Sequence, residues 1–181
     1  MIKPLFAIDV PTEPTPAMTE RMMLDLIHAR YDAITNGGVP RYVVAEHVGL
    51  DPTYPARILD AVVADTWRSG AYALHGIEIK CSRSDLVREL ADPSKAGAFC
   101  AHLDYFWLAA PDQRTLRELT IPDKWGVLTV CNGSLRQARR ATRLRPAPVT
   151  GWQRPDPLPR LVQVALLRAT RKTYERRGSD Q

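Results

Sequence analysis

The spacing of hydrophobic and polar positions changes several times along the chain, and each change predicts a different element. After Thr19 the apolar residues recur at helical spacing, whereas from Arg41 they fall in short runs rich in Val and Ile. Helical spacing forms one apolar stripe, while β-branched runs are typical of strands. The pattern predicts helices over 19–34, 82–90, 92–102 and 159–177, and strands over 41–48, 57–64, 73–81, 104–110, 127–131 and 135–138.

The order of these elements predicts an α/β fold with a mixed sheet and flanking helices. A helix lies between the third and fourth strands, where it would form a crossover connection. The dipeptide Asn132-Gly133 predicts a hairpin between the last two strands. By composition the chain divides into a Pro-rich arm over 1–17, a central domain over 18–143, and a Pro-rich linker with a basic helix over 144–181.

The third predicted strand, within the stretch LHGIEIKCSRSD, carries a carboxylate and an ammonium two residues apart. Strand geometry places Ile77 and Ile79 on one face and Glu78 and Lys80 on the other. Burying unpaired charge is expensive, so a buried strand that keeps two charges indicates a use for them. The alternative is an ion pair facing solvent, which would contribute little.

A further acid, Asp60, lies in the second predicted strand between two apolar residues. Two carboxylates beside a lysine on adjacent strands suit Mg²⁺, which one or two carboxylates hold together with waters and substrate phosphate. Lys80 could then orient or deprotonate a water, or stabilise charge on a phosphate. Alternatively, Asp60 satisfies a backbone turn or pairs with Arg57.

Asp60 followed by Glu78-Ile79-Lys80 resembles the motif of the PD-(D/E)XK nuclease superfamily, which has the restriction-endonuclease-like fold with core order α-β-β-β-α-β. The stretches GIEIKCSRSDLVRELADPSKAGAF, DYFWLAAPD and KWGVL are similar to the MmcB-like group of bacterial and phage proteins linked to DNA repair. The resemblance spans about residues 19–131, with Leu59 standing where the superfamily motif has Pro. It implies Mg²⁺-dependent hydrolysis of DNA phosphodiester bonds, with Mn²⁺ as a substitute.

The resemblance also implies roles for individual residues. Asp60 and Glu78 would hold the metal together with the carbonyl of Ile79, and Lys80 would activate the attacking water. Glu20 lies on the stripe of the first helix and could add a metal ligand, as in some members of the superfamily. A first-turn acid that complements the helix dipole is the alternative for Glu20.

The remaining polar and aromatic candidates receive simpler interpretations. His47 and His75 are interpreted as strand residues, and Trp107 and Trp125 as core. The three cysteines are widely spaced and the histidines lack zinc-type spacing, which favours reduced thiols over a disulfide framework or a structural zinc site.

The net charge of +5 is unevenly distributed along the chain. Residues 136–181 hold 12 Lys/Arg against 3 Asp/Glu, whereas residues 1–135 hold 13 against 17. Such asymmetry favours a polyanionic partner, DNA first with RNA not excluded, although a solvated basic tail is the alternative. The candidate phosphate contacts are Arg83, Lys95, Arg168, Arg171 and Lys172.

Two other function classes follow from the same features. The main rival is a nuclease-like module that binds nucleic acid without cutting it. A basic helix docking on a membrane or protein is less favoured, because its polar face lacks aromatic anchors. No apolar run approaches the roughly 20 residues of a membrane span, and we expect a cytoplasmic protein without membrane contact.

Overall fold

Six strands form one mixed sheet in which the spatial order follows the chain order. The computed structural model describes residues 17–34, 37–49, 57–92, 94–145 and 158–179. The first three strands are antiparallel, the third to fifth are parallel, and the last pairs antiparallel with the fifth. The strands are β1 (Tyr42–Gly49), β2 (Ile58–Asp65), β3 (Leu74–Ile79), β4 (Tyr105–Ala110), β5 (Gly126–Cys131) and β6 (Ser134–Arg139).

Helices cover both faces of this sheet. They are α1 (Glu20–Arg30), α2 (Arg83–Ala91), α3 (Ser94–Cys100), the single turn α4 (Gln113–Leu116) and α5 (Arg160–Ser179), with a 3₁₀ turn at Arg68–Gly70. From α1 to β4 the chain forms one helix, three strands, two helices and a fourth strand, which confirms the mixed α/β fold class predicted from the sequence. None of the helices in the described ranges is long and apolar enough to cross a bilayer.

The sheet separates two hydrophobic cores. On one face Met23, Leu24 and Ile27 of α1 are buried against Ile77 and other strand residues. On the opposite face the buried residues include Phe99, Leu103, Phe106, Trp125 and Ala169. The predicted core positions of Trp107 and Trp125 are confirmed, with one tryptophan in each core.

Helix α1 is shorter than the apolar spacing predicted. It ends at Arg30 instead of reaching Ile34. The chain turns back at this point, because the N–H of Arg41 donates to the carbonyl of Ala33 at 2.9 Å and Ile34 pairs with Pro40 in a single bridge. The start was predicted well, since the Thr19 hydroxyl accepts the N–H of Met22 at 3.2 Å as an N-cap.

Helix α5 packs on the sheet, whereas the sequence predicts a basic helix that follows a Pro-rich linker and lies outside the central domain. It buries Val162, Ala165, Ala169 and Thr173. The Thr173 hydroxyl accepts the backbone N–H of Glu46 in β1 at 2.8 Å. Because the helix contributes to the core, it is not an appendage that could be deleted without cost to the fold. Positions 146–157 of the predicted linker and positions 1–16 of the predicted arm over 1–17 lie outside the described residues.

The packing of α5 predicts that its two sides tolerate charge differently. Ala169→Asp should lower the free energy of unfolding by about 3 kcal/mol or more, because it buries an unpaired carboxylate. Leu167→Asp, at a position 71% exposed against 6% for Ala169, should change it by less than about 0.5 kcal/mol. Urea denaturation followed by circular dichroism measures both. Equal effects of the two substitutions would show that α5 does not pack as described.

A second prediction concerns His75 on β3. Its ring stacks on Tyr105 with centroids 4.8 Å apart, and Nδ1 accepts the indole N–H of Trp107 at 3.2 Å. Burial lowers the pKa of His75 from 6.5 to about 4. The unfolded chain therefore binds more protons than the folded protein between these values, and stability falls as pH decreases from about 6.5 towards 4.

His75→Asn keeps an acceptor for the indole N–H of Trp107 but removes this titration. Between pH 7.5 and pH 5, wild type should lose about 2 kcal/mol more unfolding free energy than the variant. Urea titrations at the two pH values measure the difference. Parallel pH profiles for the two proteins would refute a neutral, half-buried His75.

Candidate active site

Strands β2 and β3 separate at one end, and the charged residues of the predicted motif lie there. Their ladder runs from Ala64 opposite Leu74 to Ala61 opposite Ile77. At the next position Asp60 Oδ2 accepts the N–H of Ile79 at 2.6 Å, so that a side chain replaces the carbonyl of a paired strand. The carboxylate thereby satisfies a backbone group that the separation of the strands would leave unpaired.

The neighbouring strand pair is distorted at the same level. His47 of β1 lies between two regular pairs, Glu46 with Ala61 and Val48 with Leu59, which places it opposite Asp60. It has φ = 51°, a left-handed conformation that costs a non-glycine residue about 1–2 kcal/mol.

This distortion shifts the alternation of side chains between the two faces. Val44 belongs to the α1 core, but Val48, four residues later, belongs to the opposite core. A regular strand would place both residues on one face. The shift directs His47 towards α1, where its Nδ1 lies 3.8 Å from Glu20 Oε1.

Glu20, His47 and Asp60 form a compact group of three potential metal ligands. One ligand atom from each lies within 4.8 Å of the others. Glu20 is the first residue of α1, directly after the Thr19 N-cap, so the helix start fixes its position. The structure thus places the predicted ligand Glu20 next to Asp60 and adds an imidazole that the sequence interpretation had left out.

Glu78 and Lys80 form a second group, on the face opposite α1. Lys80 Nζ lies 2.5 Å from Glu78 Oε1 and 3.3 Å from Glu89 Oε2. These three side chains line a cleft of about 220 Å³ whose apolar wall includes Phe99 and Phe106. Asp60 approaches this group through the gap between β2 and β3, since it bonds to the residue between Glu78 and Lys80.

The electrostatics couple the two groups. Burial raises the pKa of Asp60, and the nearby charge of Glu20 raises it further, against the lowering effect of the Ile79 N–H. Burial, followed by the charge of Asp60, raises the pKa of Glu78 to about 7. Burial by itself lowers the pKa of Lys80, but Glu78 and Glu89 outweigh it and the pKa is raised. The lysine therefore stays charged at neutral pH.

The donor set fits a divalent cation. The carboxylates lie at a partly buried position where, beyond the effect of burial, the charge of Glu20 raises the pKa of Asp60 and the charge of Asp60 raises the pKa of Glu78. A positive charge at this position would stabilise their ionised forms. Oxygen ligands suit Mg²⁺, and the imidazole of His47 adds a donor that Mn²⁺ accepts more readily than Mg²⁺ does. The carbonyl of Ile79 was a further predicted ligand.

The candidate phosphate contacts are spread over three helices. Arg83 is exposed at the start of α2 and donates to the carbonyl of Arg117. Arg168, Arg171 and Lys172 are exposed on α5, and Arg171 pairs with Glu175 at 2.7 Å. Lys95 falls within α3, but its side chain lies outside the described residues. These five residues remain predictions as DNA contacts.

Sequence reasoning missed two residues of this region, His47 and Glu89. The signal for His47 was its register opposite Asp60, which depends on how β1 pairs with β2. Glu89 follows the fully buried Leu86 by three residues in α2, which places both on the inward face of the helix. That spacing is visible in the sequence, but the contact between Glu89 and Lys80 depends on where α2 lies relative to β3.

Comparison with known proteins gives the fold and no activity. No family model matches the sequence, and no curated protein sequence matches it. Among solved structures, a protein of unknown function from Silicibacter pomeroyi is similar with a TM-score of 0.53 and 16% sequence identity, over 91% of this chain and 90% of that chain. At such low identity the similarity shows the fold alone, a mixed α/β sheet flanked by helices.

The ligand group predicts that a divalent cation stabilises the folded protein. At a Mn²⁺ concentration tenfold above its Kd, the unfolding free energy of wild type should rise by about 1.4 kcal/mol. Asp60→Asn and Glu20→Gln should each reduce this gain, because each removes a carboxylate charge from the group. Thermal melts and calorimetry with Mn²⁺ and Mg²⁺ measure it.

The matched control is Glu118→Gln, an exposed glutamate whose carboxylate pairs with Arg117. It should keep the full stabilisation by Mn²⁺. Equal loss in Glu118→Gln, or equal gain in all four proteins, would show that cations bind elsewhere.

Proposed function

We propose that this protein is a metal-dependent nuclease that hydrolyses phosphodiester bonds in DNA, in DNA repair or in bacterial or phage DNA processing in the cytoplasm. The observation that supports it is that two charged groups, Asp60 with Glu20 and Glu78 with Lys80, lie on the two faces of the sheet at the end where β2 and β3 separate. These are the residues to which the resemblance to PD-(D/E)XK nucleases assigns metal binding and catalysis.

In this proposal the acids hold the cation and the lysine acts on the substrate. Asp60, Glu78, Glu20 and the carbonyl of Ile79 are the candidate ligands for Mg²⁺ or Mn²⁺. The bound ion would supply positive charge against the phosphate. Since the pKa of Lys80 is raised, we assign it the stabilisation of negative charge on the scissile phosphate and the orientation of the attacking water, rather than removal of a proton.

The basic charge of the C-terminal region supports DNA as the substrate. Fewer of its arginines are available for phosphate contacts than the count of Lys and Arg indicates. Arg176 and Arg177 pair with Glu46, and Arg143 pairs with Asp104 at 2.8 Å. These three arginines neutralise carboxylates within the folded protein. We assign phosphate contacts to the exposed α5 residues Arg168, Arg171 and Lys172, and we expect a DNA affinity whose salt dependence is weaker than the local charge implies.

A non-cutting nucleic-acid-binding module is the second candidate, and one observation favours it. The group around Asp60 lies on the α1 side of the sheet, whereas Glu78 and Lys80 line a cleft on the other side. Hydrolysis requires these groups to act on one phosphate through the gap between the strands, whereas simple binding does not.

Substitutions at the site separate metal binding from chemistry. Asp60→Asn and Glu78→Gln should each reduce cleavage roughly a hundredfold or more, and extra Mn²⁺ should partly restore it, because both weaken metal affinity. Lys80→Ala should reduce cleavage by a similar factor. Its metal affinity should equal that of wild type, and extra metal should not restore cleavage, because Lys80 is not a metal ligand in this proposal. Cleavage rates on linear, nicked, flapped and single-stranded DNA, together with calorimetry, measure the difference.

Lys124→Ala is the matched control, because Lys124 is exposed and lies away from the motif in sequence. Its cleavage rate should equal that of wild type. Full activity of Lys80→Ala would remove the lysine from the mechanism. A wild type that binds these DNAs but cuts none of them with any metal would favour the non-cutting module.

A further inference from the structure

Lys80 has two carboxylate partners that come from different elements. Glu78 is two residues earlier at the end of β3, with 2.5 Å between Nζ and Oε1, and Glu89 comes from α2, with 3.3 Å between Nζ and Oε2. All three side chains are largely buried, with 16% of Lys80, 12% of Glu78 and 10% of Glu89 exposed. Both carboxylates therefore hold the ammonium away from bulk water.

The local sequence fixes Glu89 relative to Lys80. Ser82 caps α2 two residues after Lys80, its hydroxyl accepting the N–H of Asp85 at 3.2 Å. Glu89 lies two turns further on, and Leu86, three residues before it, is fully buried. The cap and the buried leucine leave α2 little freedom, so Glu89 has a defined position beside the cleft.

Glu78 and Glu89, the two partners of Lys80, have different roles in the proposed function. In the proposed function Glu78 also binds a cation, and a carboxylate shared with a metal ion attracts a lysine less. Glu89 lies outside the ligand group, so it keeps its full charge for Lys80. Without it, the ammonium on its flexible four-carbon stem would turn towards solvent to avoid being a buried, unpaired charge.

We infer that Glu89 is a positioning residue, which holds the Lys80 ammonium at the cleft when Glu78 is engaged with a metal ion. The inference rests on the proposed function, because the role exists only if Glu78 binds metal and Lys80 meets a phosphate. Glu89 itself touches neither the metal nor the substrate. It acts through Lys80 alone.

The test compares Glu89→Ala, Glu89→Gln and the exposed control Glu118→Gln. Glu89→Ala should lower kcat roughly tenfold to a hundredfold, the cost of a misplaced catalytic group, with KM and Mn²⁺ affinity nearly unchanged. Glu89→Gln should lose less, because its amide oxygen still accepts a hydrogen bond from the ammonium. Glu118→Gln should match wild type. Thermal melts of each variant establish that it is folded.

A second readout follows the lysine directly. The chain has five lysines, and acetic anhydride labelling read by mass spectrometry reports each of them. With Mn²⁺ present, Glu89→Ala should label Lys80 severalfold faster than wild type does, while Lys124 is unaffected. Without metal the increase should be smaller, because Glu78 still holds the ammonium.

The possible failures are distinguishable. If wild type cuts DNA with metal but folded Glu89→Ala keeps its kcat, or if Lys80 labelling does not change in the presence of Mn²⁺, the inference about Glu89 is wrong and the proposed function stands. If wild type neither binds Mn²⁺ nor cuts DNA, both are wrong.

Discussion

A single buried carboxylate, Glu46, ties together the parts of the structure that surround the candidate site. Its side chain has no exposed surface and lies within 3.5 Å of cationic or imidazole nitrogens from two helices. These partners are Arg21 and His28 of α1 and Arg176 and Arg177 of α5. A buried charge is tolerated only when it is paired, so the two helices must meet at this point of β1.

The position of the site depends on this anchor. Arg21 follows Glu20, and Glu46 precedes His47, so the ion pair between Arg21 and Glu46 at 3.5 Å sets the start of α1 against the middle of β1. That contact lies next to the strained residue His47 and brings Glu20 towards Asp60. Strain of this kind persists only where the surrounding structure determines it.

The separation of β2 and β3 is the second constraint, and it explains why charges are concentrated there. Where the ladder ends, Asp60 supplies the acceptor for Ile79 that a strand would otherwise provide. Beyond the effect of burial, the charge of Glu20 raises the pKa of Asp60 and the charge of Asp60 raises that of Glu78, while the charge of Lys80 lowers both. Placing these carboxylates close together costs free energy. A bound cation would lower this cost, and the cation and Lys80 would together stabilise an anionic substrate.

The sequence by itself determined the order of the elements, because periodicity and capping act locally. The Ser82 cap, the Asn132-Gly133 turn and the alternation around Ile77 and Ile79 each depend on near neighbours, and the structure has the corresponding helix, hairpin and strand. The motif Glu78-Ile79-Lys80 was visible for the same reason. Tertiary structure decided that α5 is part of the core and that its arginines pair with Glu46. It also decided that His47 lies beside Asp60 and that Glu89 pairs with Lys80. Those facts depend on register and packing between segments up to 131 residues apart, and local pattern carries no information about them.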